Sequence, residues 1–495
     1  MSARADLNAL ESGGLIEIAA LQPELEYLFR HALVQEAAYS SLLKQDRRSL
    51  HRAAAETILA LHPGREAELA AVVAMHYEQA GDGPRAADYL VLAGDHALAR
   101  FASREAFAFF TRASASAVDG QDETRLRAAV GAARAGWGFS GSSALVEPLE
   151  VALAGESRLP AELLAQGYFW VALLRRMRGE TPESSAELRR ALARVADAGD
   201  DVAGSTATAV PRALMGAYAA FAGDLRDGAR QMQSALGVIE AKGDTVSAAM
   251  IANFLAVSYA KLGDFASAER ILEQSKQYAE KGDAIALVDL EIGTAGYNLE
   301  RGDIAGARAS AEQCAARSED LGAYACVVAS NVIRGTASLA FKDAATAKGP
   351  LERGNELCRV VDFAPLRTLT SGLLGSARAQ LGDISGGIAG WNDALEHAHA
   401  MNDRYGEAQT LWGRGQSRAA QQDADLTADL PAALDDLDRA VELFDAMEAK
   451  PALARSLRDR AGVLRRLGRE SDATEDQRRS VRIGTDLGLL DFAND

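Results

Sequence analysis

The feature that most constrains this sequence is a Gly-Asp dipeptide that recurs about every forty residues. Four copies share one register: Gly223-Asp224, Gly263-Asp264, Gly302-Asp303 and Gly382-Asp383. The same spacing adds Lys342-Asp343 and Gln422-Asp423 inside the series, and Gly179 and Gly468 at its ends. A fixed period of this length is typical of stacked supersecondary units, each of which buries its apolar face only against its neighbours.

Small residues recur at fixed distances from these turn positions. Seven residues before them stand Ala172, Gly216, Ala256, Ala295, Gly335, Gly375, Gly415 and Ala461. Five residues after them stand Ser184, Gly228, Ala268, Ala307, Ala347, Gly387 and Ala473, and the unit at Gln422 fits if about six residues within Asp423–Pro431 are an insertion. Two antiparallel helices reach the short end of the usual separation of ~8–10 Å only where facing side chains are small. The register therefore predicts helix pairs, in which Gly ends the first helix and Asp caps the second.

The composition also favours helices. Apolar residues make up 48% of the 495 residues and aromatic residues only 6%. Much of the apolar content is Ala and Leu, whereas strands draw on β-branched and aromatic residues. The length exceeds the roughly 250–300 residues that one core serves, so we expect either several domains or an elongated array.

The unit around Gly263 resembles a tetratricopeptide repeat. The residues that carry the resemblance are Leu255-Ala256, Tyr259, Gly263, Phe265, Ala268, Leu272 and Ser275. The period is similar to the longer variant of about forty residues rather than to the standard repeat. The resemblance implies an all-α fold, a right-handed α–α superhelix (a TPR-like solenoid), with about eight repeats over residues 161–495.

A second resemblance lies in the N-terminal third. Residues Tyr27 to Leu61 read YLFRHALVQEAAYSSLLKQDRRSLHRAAAETILAL, and Ala74-Met75-His76-Tyr77 follows. Over about Leu7–Arg112 the chain resembles a segment of bacterial signalling ATPases of the STAND class, which join a nucleotide switch to a tetratricopeptide arm. The resemblance implies an incomplete winged-helix or bridge segment at residues 1–60 and irregular helical repeats at 61–160.

The likeness implies that the chain is the C-terminal portion of such a protein. It contains no Gly-Lys dipeptide, and hence no P-loop. Relatives of this type often carry a class III nucleotide cyclase domain at the N-terminus or a LuxR-type DNA-binding domain at the C-terminus. The segment Leu490 to Asp495 ends without the latter, which favours the cyclase type.

The net charge and the absence of targeting signals bear on the partners and the location of the protein. The net charge of −17 disfavours nucleic acid, because an acidic surface repels phosphates. The sequence has no signal peptide and no apolar run long enough for a membrane span, and Cys314, Cys326 and Cys358 lie in apolar settings typical of buried, reduced thiols. We therefore expect a cytoplasmic protein. Ten basic residues between Lys450 and Arg482 are interpreted as a solvated helix face, with a docking patch for an acidic partner as the alternative.

No motif predicts catalysis, a cofactor or a metal. The segment Gly136 to Gly141 matches GxGxxG but follows a helix-like stretch, so we interpret it as a turn. His397 and His399 would face different sides of a helix, and His31 and His51 are expected to pack with a hydrogen bond. The acidic stretch with Asp423, Asp425 and Asp429 lacks the Gly and Glu of a calcium loop.

Alignment of the turn positions predicts which first-helix residues face the inner groove of the array. They are Gln166, Phe169, Arg176, Asn253, Gln409, Trp412 and Gln416. The leading hypothesis is a non-catalytic sensor arm that binds a protein, a peptide or a small effector and biases a nucleotide-switch ATPase module in cis or in trans. The alternative is a free-standing scaffold or adaptor, and an enzyme with a hidden site in the superhelix is the third hypothesis.

Overall fold

The structure is a computed structural model that describes residues 3–20, 26–100, 102–155, 159–180, 184, 186–187, 189–191, 193–194, 206–281, 284–420 and 429–492. Its N-terminal elements are α1 (Ala3–Ser12), β1 (Ile16–Ala20), β2 (Glu26–Phe29), α2 (Ala32–Ser41), α3 (Lys44–Leu61), α4 (Glu66–Ala80), α5 (Gly83–Ala99), α6 (Ser103–Ser116), α7 (Asp122–Gly136) and α8 (Ser142–Leu153). The described helices that follow are α9 (Ala161–Met177), α10 (Thr206–Phe221), α11 (Leu225–Ala241), α12 (Thr245–Leu262), α13 (Phe265–Lys281), α14 (Ala284–Arg301), α15 (Ile304–Leu321), α16 (Tyr324–Ala340) and α17 (Ala344–Val360). The last are α18 (Arg367–Gln380), α19 (Ile384–Met401), α20 (Arg404–Ala420), α21 (Asp429–Ala446), α22 (Lys450–Arg466) and α23 (Glu470–Leu487), with short 3-10 helices at Ala364–Leu366 and Leu490–Phe492.

The turn residues of the forty-residue register join the two helices of each pair. Their backbones are left-handed at Gly179, Gly223, Gly263, Gly302, Lys342, Gly382 and Gly468, while Gln422 and Asp423 lie outside the described residues. A positive φ is inexpensive for glycine, which explains its recurrence here. The Asp that follows caps the second helix at Asp264, Asp303, Asp343 and Asp383, as where Asp303 Oδ1 accepts a hydrogen bond from the backbone N–H of Gly306 at 2.9 Å. Asp224 is the exception and makes no side-chain cap hydrogen bond.

The small residues of the register are buried where the paired helices touch. Ala172, Ala256, Ala295 and Ala461 are fully buried, as are Ala268, Ala307, Ala347 and Ala473. A Cβ atom added at Gly228 would lie 2.5 Å from the carbonyl oxygen of Gly216, so the two backbones pack directly on each other. Close approach of α10 and α11 therefore depends on the absence of side chains, as the sequence predicts.

The N-terminal unit departs from this packing. Strands β1 and β2 form an antiparallel pair in which Ile16 lies opposite Phe29. Among the described residues of 161–492 no strand occurs, and the predicted all-α, TPR-like superhelix with a short N-terminal helical and winged-helix-like remnant is confirmed.

The superhelix coils tightly enough for its second turn to touch its first. Arg104 donates to the carbonyl oxygen of Leu321 at 3.1 Å, and Ser143 Oγ donates to Asp362 Oδ2 at 2.9 Å. Further along, Arg226 pairs with Glu448. These pairs are separated by 217, 219 and 222 residues. We call residues 104–302 the first turn of the superhelix and residues 321–491 the second turn. The line of contacts between these two turns is called the seam.

The structure also locates the GxGxxG segment and the three cysteines. The GxGxxG segment connects α7 to α8, as interpreted from the sequence. Cys314 and Cys358 are buried and free, and Cys326 is half-buried; burial raises the pKa of Cys314 to about 11 and that of Cys358 to about 12. Within the part of the chain that the structure describes, no helix is both long and apolar enough to cross a bilayer.

The basic stretch of the last helices is largely paired with carboxylates of the same region. Arg460 binds Asp476 and Asp438, and Arg479 donates to Asp445 at 2.7 Å. These charges are neutralised by neighbouring carboxylates and do not form a free cationic patch, but the stretch is solvated only in part, since Arg460 and Arg455 are 19% and 12% exposed.

Candidate functional site

The two turns of the superhelix enclose an interior cavity of about 2500 Å³. Its wall consists mainly of first helices of the pairs, α9, α10, α12, α14, α16, α18, α20 and α22, together with residues of α5 to α7. Both turns contribute, since Gln166 and Asn253 lie on the first and Gln380 and Trp412 on the second. The cavity is thus a product of the seam as well as of the repeats.

Five of the seven predicted groove residues line this cavity: Gln166, Asn253, Gln409, Trp412 and Gln416. Phe169 is fully buried in the hydrophobic core instead. Helix α9 presents Gln166 and Trp170 to the cavity, four residues apart, so Phe169 points away from it. Contact of the five lining residues with a ligand stays a prediction.

Arg176, the seventh predicted residue, is half-buried and lies outside the cavity lining. Burial lowers the pKa of its guanidinium, while Tyr218, Asp403 and Asp224 act in the opposite direction. Because Asp403 belongs to the second turn, Arg176 lies towards the seam rather than the cavity.

A carboxylate on α22 organises one side of the cavity. Asp459 Oδ2 accepts hydrogen bonds from Trp412 Nε1 and from Gln416 Nε2, both at 2.7 Å. Burial raises the pKa of Asp459, and the two hydrogen bonds partly offset that effect. The indole and the amide of α20 are therefore held in place by a group on the next first helix.

Another part of the wall is mostly apolar. Ile292, Val332, Ile333, Leu369 and Leu373 contribute to it from α14, α16 and α18. Pockets lined by apolar side chains with a few fixed polar groups are typical of binding sites, because the apolar wall supplies burial and the polar groups supply orientation.

One polar atom in the wall lacks a partner. Asn253 is 2% exposed, and none of the described residues donates a hydrogen bond to its Oδ1 atom. A buried carbonyl oxygen without a donor costs about 1–3 kcal/mol. The atom is enclosed within the wall rather than open to the cavity, since a Cβ atom added at Gly293 of α14 would lie 3.3 Å from it.

A second cluster of polar and charged side chains lies in the cavity wall where the two turns meet. Lys261 Nζ lies 3.6 Å from the ring centroid of Tyr405, whose hydroxyl donates to Glu300 Oε1 at 3.1 Å. Arg455 donates to the carbonyl oxygen of Glu300 at 2.9 Å and to Asp491 Oδ2 at 2.8 Å. Burial lowers the pKa of Lys261 to about 8, with Glu300 and Asp403 acting in the opposite direction.

Sequence reasoning did not identify Lys261, Tyr405, Arg455 or Asp459 as cavity residues. One available signal is that Lys261 is the only charged residue of helix α12. For Asp459 the signal is its place among the inward positions of a first helix, one repeat after Trp412 and Gln416. The contacts between Lys261 and Tyr405 have no local signature, since 144 residues separate them.

Histidines and metal ligands form no centre of their own. His51 Nδ1 lies 2.8 Å from His76 Nδ1, and the hydroxyl of Tyr39 lies 3.0 Å from His51 Nε2. His397 Nε2 contacts the carbonyl oxygen of Ala364 at 3.0 Å. Over the residues that the structure describes, no group of three or more His, Cys, Asp or Glu side chains is placed to hold a metal ion. Asp423 and Asp425 lie outside those residues.

Comparisons with known proteins give distant structural likenesses. No protein-family model matches the chain, and no curated protein matches it. The Rap protein complexed with competence and sporulation factor is 13% identical, with a TM-score of 0.44 over 81% of this chain and 98% of that one. The Cut9–Hcn1 hetero-tetramer of APC/C is 14% identical, with a TM-score of 0.48 over 92% of this chain and 90% of that one.

A STAND protein with a tetratricopeptide repeat sensor from Pyrococcus horikoshii is 14% identical to this chain, with a TM-score of 0.38 over 99% of this chain. The alignment covers 60% of that protein, so this chain spans less than two thirds of its length. The assignment of the chain to the TPR-like helical solenoids therefore rests on the helix pairs, left-handed turns and close approaches described above.

Proposed function

We propose that this chain is a binding arm of a nucleotide-dependent signalling protein, and that its superhelix holds a peptide or protein segment in the interior cavity. The observation that carries the proposal is the cavity itself, with its apolar wall and its fixed amides. The chain is proposed to act by binding and to carry no catalysis of its own.

The size of the cavity favours a peptide over a small effector. Pockets for small molecules usually measure ~300–1,000 Å³. The cavity of about 2500 Å³ exceeds that range severalfold. An extended or helical segment of a protein fills such a volume, whereas a small molecule would leave most of the wall in contact with water.

The charges of the lining also favour a peptide. Nine basic and eight acidic side chains line the cavity, in a chain whose net charge is −17. Such a balance provides no strong field for a polyphosphate or a nucleic acid. The amides of Gln166, Asn253, Gln409 and Gln416 each offer both donors and an acceptor, which matches the alternating N–H and C=O groups of a peptide backbone.

Exposed apolar residues on the N-terminal unit support the connection to a switch module. Large apolar side chains are exposed at Leu15, Ile18, Leu28, Phe29, Leu33 and Leu43. They occupy both faces of the hairpin, because Leu28 and Phe29 are adjacent in β2 and point to opposite sides. A two-stranded hairpin is marginally stable alone, and clusters of exposed apolar side chains mark interaction surfaces. We propose that a nucleotide-switch module packs around this unit. A free-standing scaffold gives no reason for such exposure.

Peptide binding can be tested with a random-peptide library displayed on phage and selected against the immobilised chain. We expect enriched peptides whose binding falls at least tenfold in Q416A and is unchanged in Q277A, because Gln416 lines the cavity and Gln277 is exposed on the second helix α13. Equal binding by both variants, or no enrichment, would refute the proposed site.

The switch connection requires a separate experiment. The reading frame upstream of, or adjacent to, this gene is expected to encode Gly-x4-Gly-Lys-Ser/Thr, and its product is expected to co-purify with the chain. The double substitution L28K/L33K should abolish co-purification, whereas V360K, which alters an equally exposed residue on α17, should not. Absence of such a frame would favour the scaffold hypothesis.

A further inference from the structure

The first helices that surround the cavity form a ring of five. The start of α16 contacts the end of α7, where the N–H of Ala325 donates to the carbonyl oxygen of Gly138 at 3.3 Å. The start of α20 contacts the end of α10 in the same way, through the N–H of Arg404 and the carbonyl oxygen of Ala222 at 3.2 Å. In both cases the helix of the second turn comes five repeats after its partner, so five first helices complete one turn. A first helix therefore faces, across the axis of the superhelix, the first helices two and three repeats further along the chain.

The helices that face each other in the second turn differ in polarity. None of the cavity-lining residues of α16 and α18 is charged. We call these residues the apolar side, and its larger members are Val332, Ile333, Leu339, Leu369 and Leu373. Helices α20 and α22 lie across the axis from α16, and we call their polar cavity-lining residues the polar side: Gln409, Trp412, Gln416, Arg455, Arg458, Asp459 and Arg466. A bound segment thus meets an apolar surface in one direction and a polar surface in the other.

The ring has the width that one more helix requires. Neighbouring first helices contact each other, as α12 contacts α14 and α18 contacts α20. Helices in contact lie ~8–10 Å apart, and five at that spacing enclose an axis about 7–8.5 Å from each of them. This distance overlaps the distance at which helices pack. An α-helix on the axis would therefore contact the apolar side and the polar side at the same time.

Backbone hydrogen bonding also favours a helix over an extended segment. An extended segment leaves its N–H and C=O groups open, and those turned towards the apolar side would be buried with few partners. A helix pairs its own backbone groups and can present an apolar stripe and a polar face in different directions. The amides of Gln409 and Gln416 would then meet polar side chains of the segment.

The volume of the cavity sets the length of such a helix. A helix ~10–12 Å across with a rise of ~1.5 Å occupies about 120–170 Å³ per residue. The cavity of about 2500 Å³ therefore holds about 15–20 helical residues.

We propose that the segment bound in the cavity is an amphipathic α-helix of about 15–20 residues, with its apolar stripe against α16 and α18 and its polar face against α20 and α22. The inference rests on the proposed peptide-binding function and specifies the class of peptide that the cavity takes.

Two peptide libraries of equal length and composition distinguish a helix from an extended segment. One places apolar residues at i, i+3, i+4 and i+7, which is the pattern of an amphipathic helix, and the other alternates apolar and polar residues, which is the pattern of a strand. Both are displayed on phage and selected against the full chain. We expect at least tenfold more bound phage from the helical library. Equal yields, or a higher yield from the alternating library, would overturn the inference and leave peptide binding intact, whereas no binding from either library would overturn both proposals.

A proline substitution in the best helical peptide gives a second test, which leaves the protein unchanged. Proline at the centre of the polar face should lower the affinity at least a hundredfold, because it breaks the helix, whereas alanine at the same position should change the affinity much less. Equal effects of proline and alanine would show that the bound segment is not helical.

The placement of the apolar stripe is tested by V332K on the apolar side, with V360K on the exposed surface of α17 as the matched control. Both variants are first compared by circular dichroism. V332K should weaken binding of the helical peptide at least tenfold, whereas V360K should leave it unchanged. A glutamate in place of one stripe residue of the peptide should weaken binding to the wild type and improve binding to V332K. Equal binding by V332K and V360K would overturn the placement of the stripe on α16.

Discussion

Replacement of Gly228 by alanine is expected to destabilise the superhelix, whereas the same change at Gly237 in the same helix is expected to stabilise it. Both glycines lie in α11. Alanine is favoured over glycine in a helix interior by about 0.5–1 kcal/mol. Gly237 is exposed, and a Cβ atom there would meet nothing within 4 Å. G237A should therefore raise the free energy of unfolding by that amount.

At Gly228 the helix gain is outweighed by overlap. The added Cβ would lie 2.5 Å from the carbonyl oxygen of Gly216 and 2.8 Å from the backbone nitrogen of Ala220. Because these are backbone atoms, relief requires α10 and α11 to move apart, and overpacking of this kind costs about 1–3 kcal/mol or more. Because both variants gain the same helix preference, they should differ by the overlap cost alone, about 1–3 kcal/mol in the free energy of unfolding.

Urea unfolding followed by circular dichroism measures the sign and size of this difference. Long repeat arrays can lose two-state behaviour, so hydrogen exchange of residues 206–241 provides a local readout. We expect faster exchange in G228A and slower or unchanged exchange in G237A. A shift of both variants in the same direction would refute the argument that the small-residue register marks direct backbone contact.

Three further substitutions test other parts of the structure. Lys261 has a pKa of about 8 in the folded chain against 10.5 when unfolded, so the unfolded state binds more protons between these values and stability rises with pH. In urea titrations, the unfolding free energy of the wild type relative to K261M should therefore increase by about 2.5 kcal/mol from pH 7 to pH 10. A difference that does not change with pH would contradict the buried position of Lys261. Lys342 has a φ of 59° where other repeats have glycine. K342G should therefore raise the unfolding free energy by about 1 kcal/mol, whereas K342A should not. An equal rise in unfolding free energy in both variants would show that backbone strain is not the cause. N253L should raise the unfolding free energy by about 1 kcal/mol, because it removes a buried oxygen without a donor. An unchanged or lower unfolding free energy would contradict the absence of a partner for that oxygen.

The helical array was predictable because its determinants are local. A left-handed turn residue, an Asp cap and a small residue at a contact each act within one repeat, and their period reveals them. Even Lys342 could be placed in the series by counting, and its backbone is left-handed as that position requires. The first helices were likewise predicted to form the inner wall, and Gln166, Asn253 and Trp412 lie there.

The seam and the details of the cavity could not be predicted in this way. Contacts between residues more than 200 positions apart depend on the total rotation that accumulates over five repeats. Each repeat contributes a small rotation, and no local residue pattern predicts their sum. Phe169 shows the same limit on a smaller scale, because a slight rotation of α9 replaces it with Trp170 in the cavity wall. The approach of Asp491 to Gly302 also follows from the coiling, since the two residues meet only when the second turn stacks on the first.

The claim that a peptide lies inside the superhelix is tested most directly by photo-crosslinking. A selected peptide that carries benzoylphenylalanine is bound to the full chain, irradiated and mapped by mass spectrometry. We predict crosslinks to first-helix residues of the cavity wall, such as Val332, Leu373 and Trp412. Crosslinks confined to exposed apolar residues of second helices, such as Val360 and Ile388, would contradict the account.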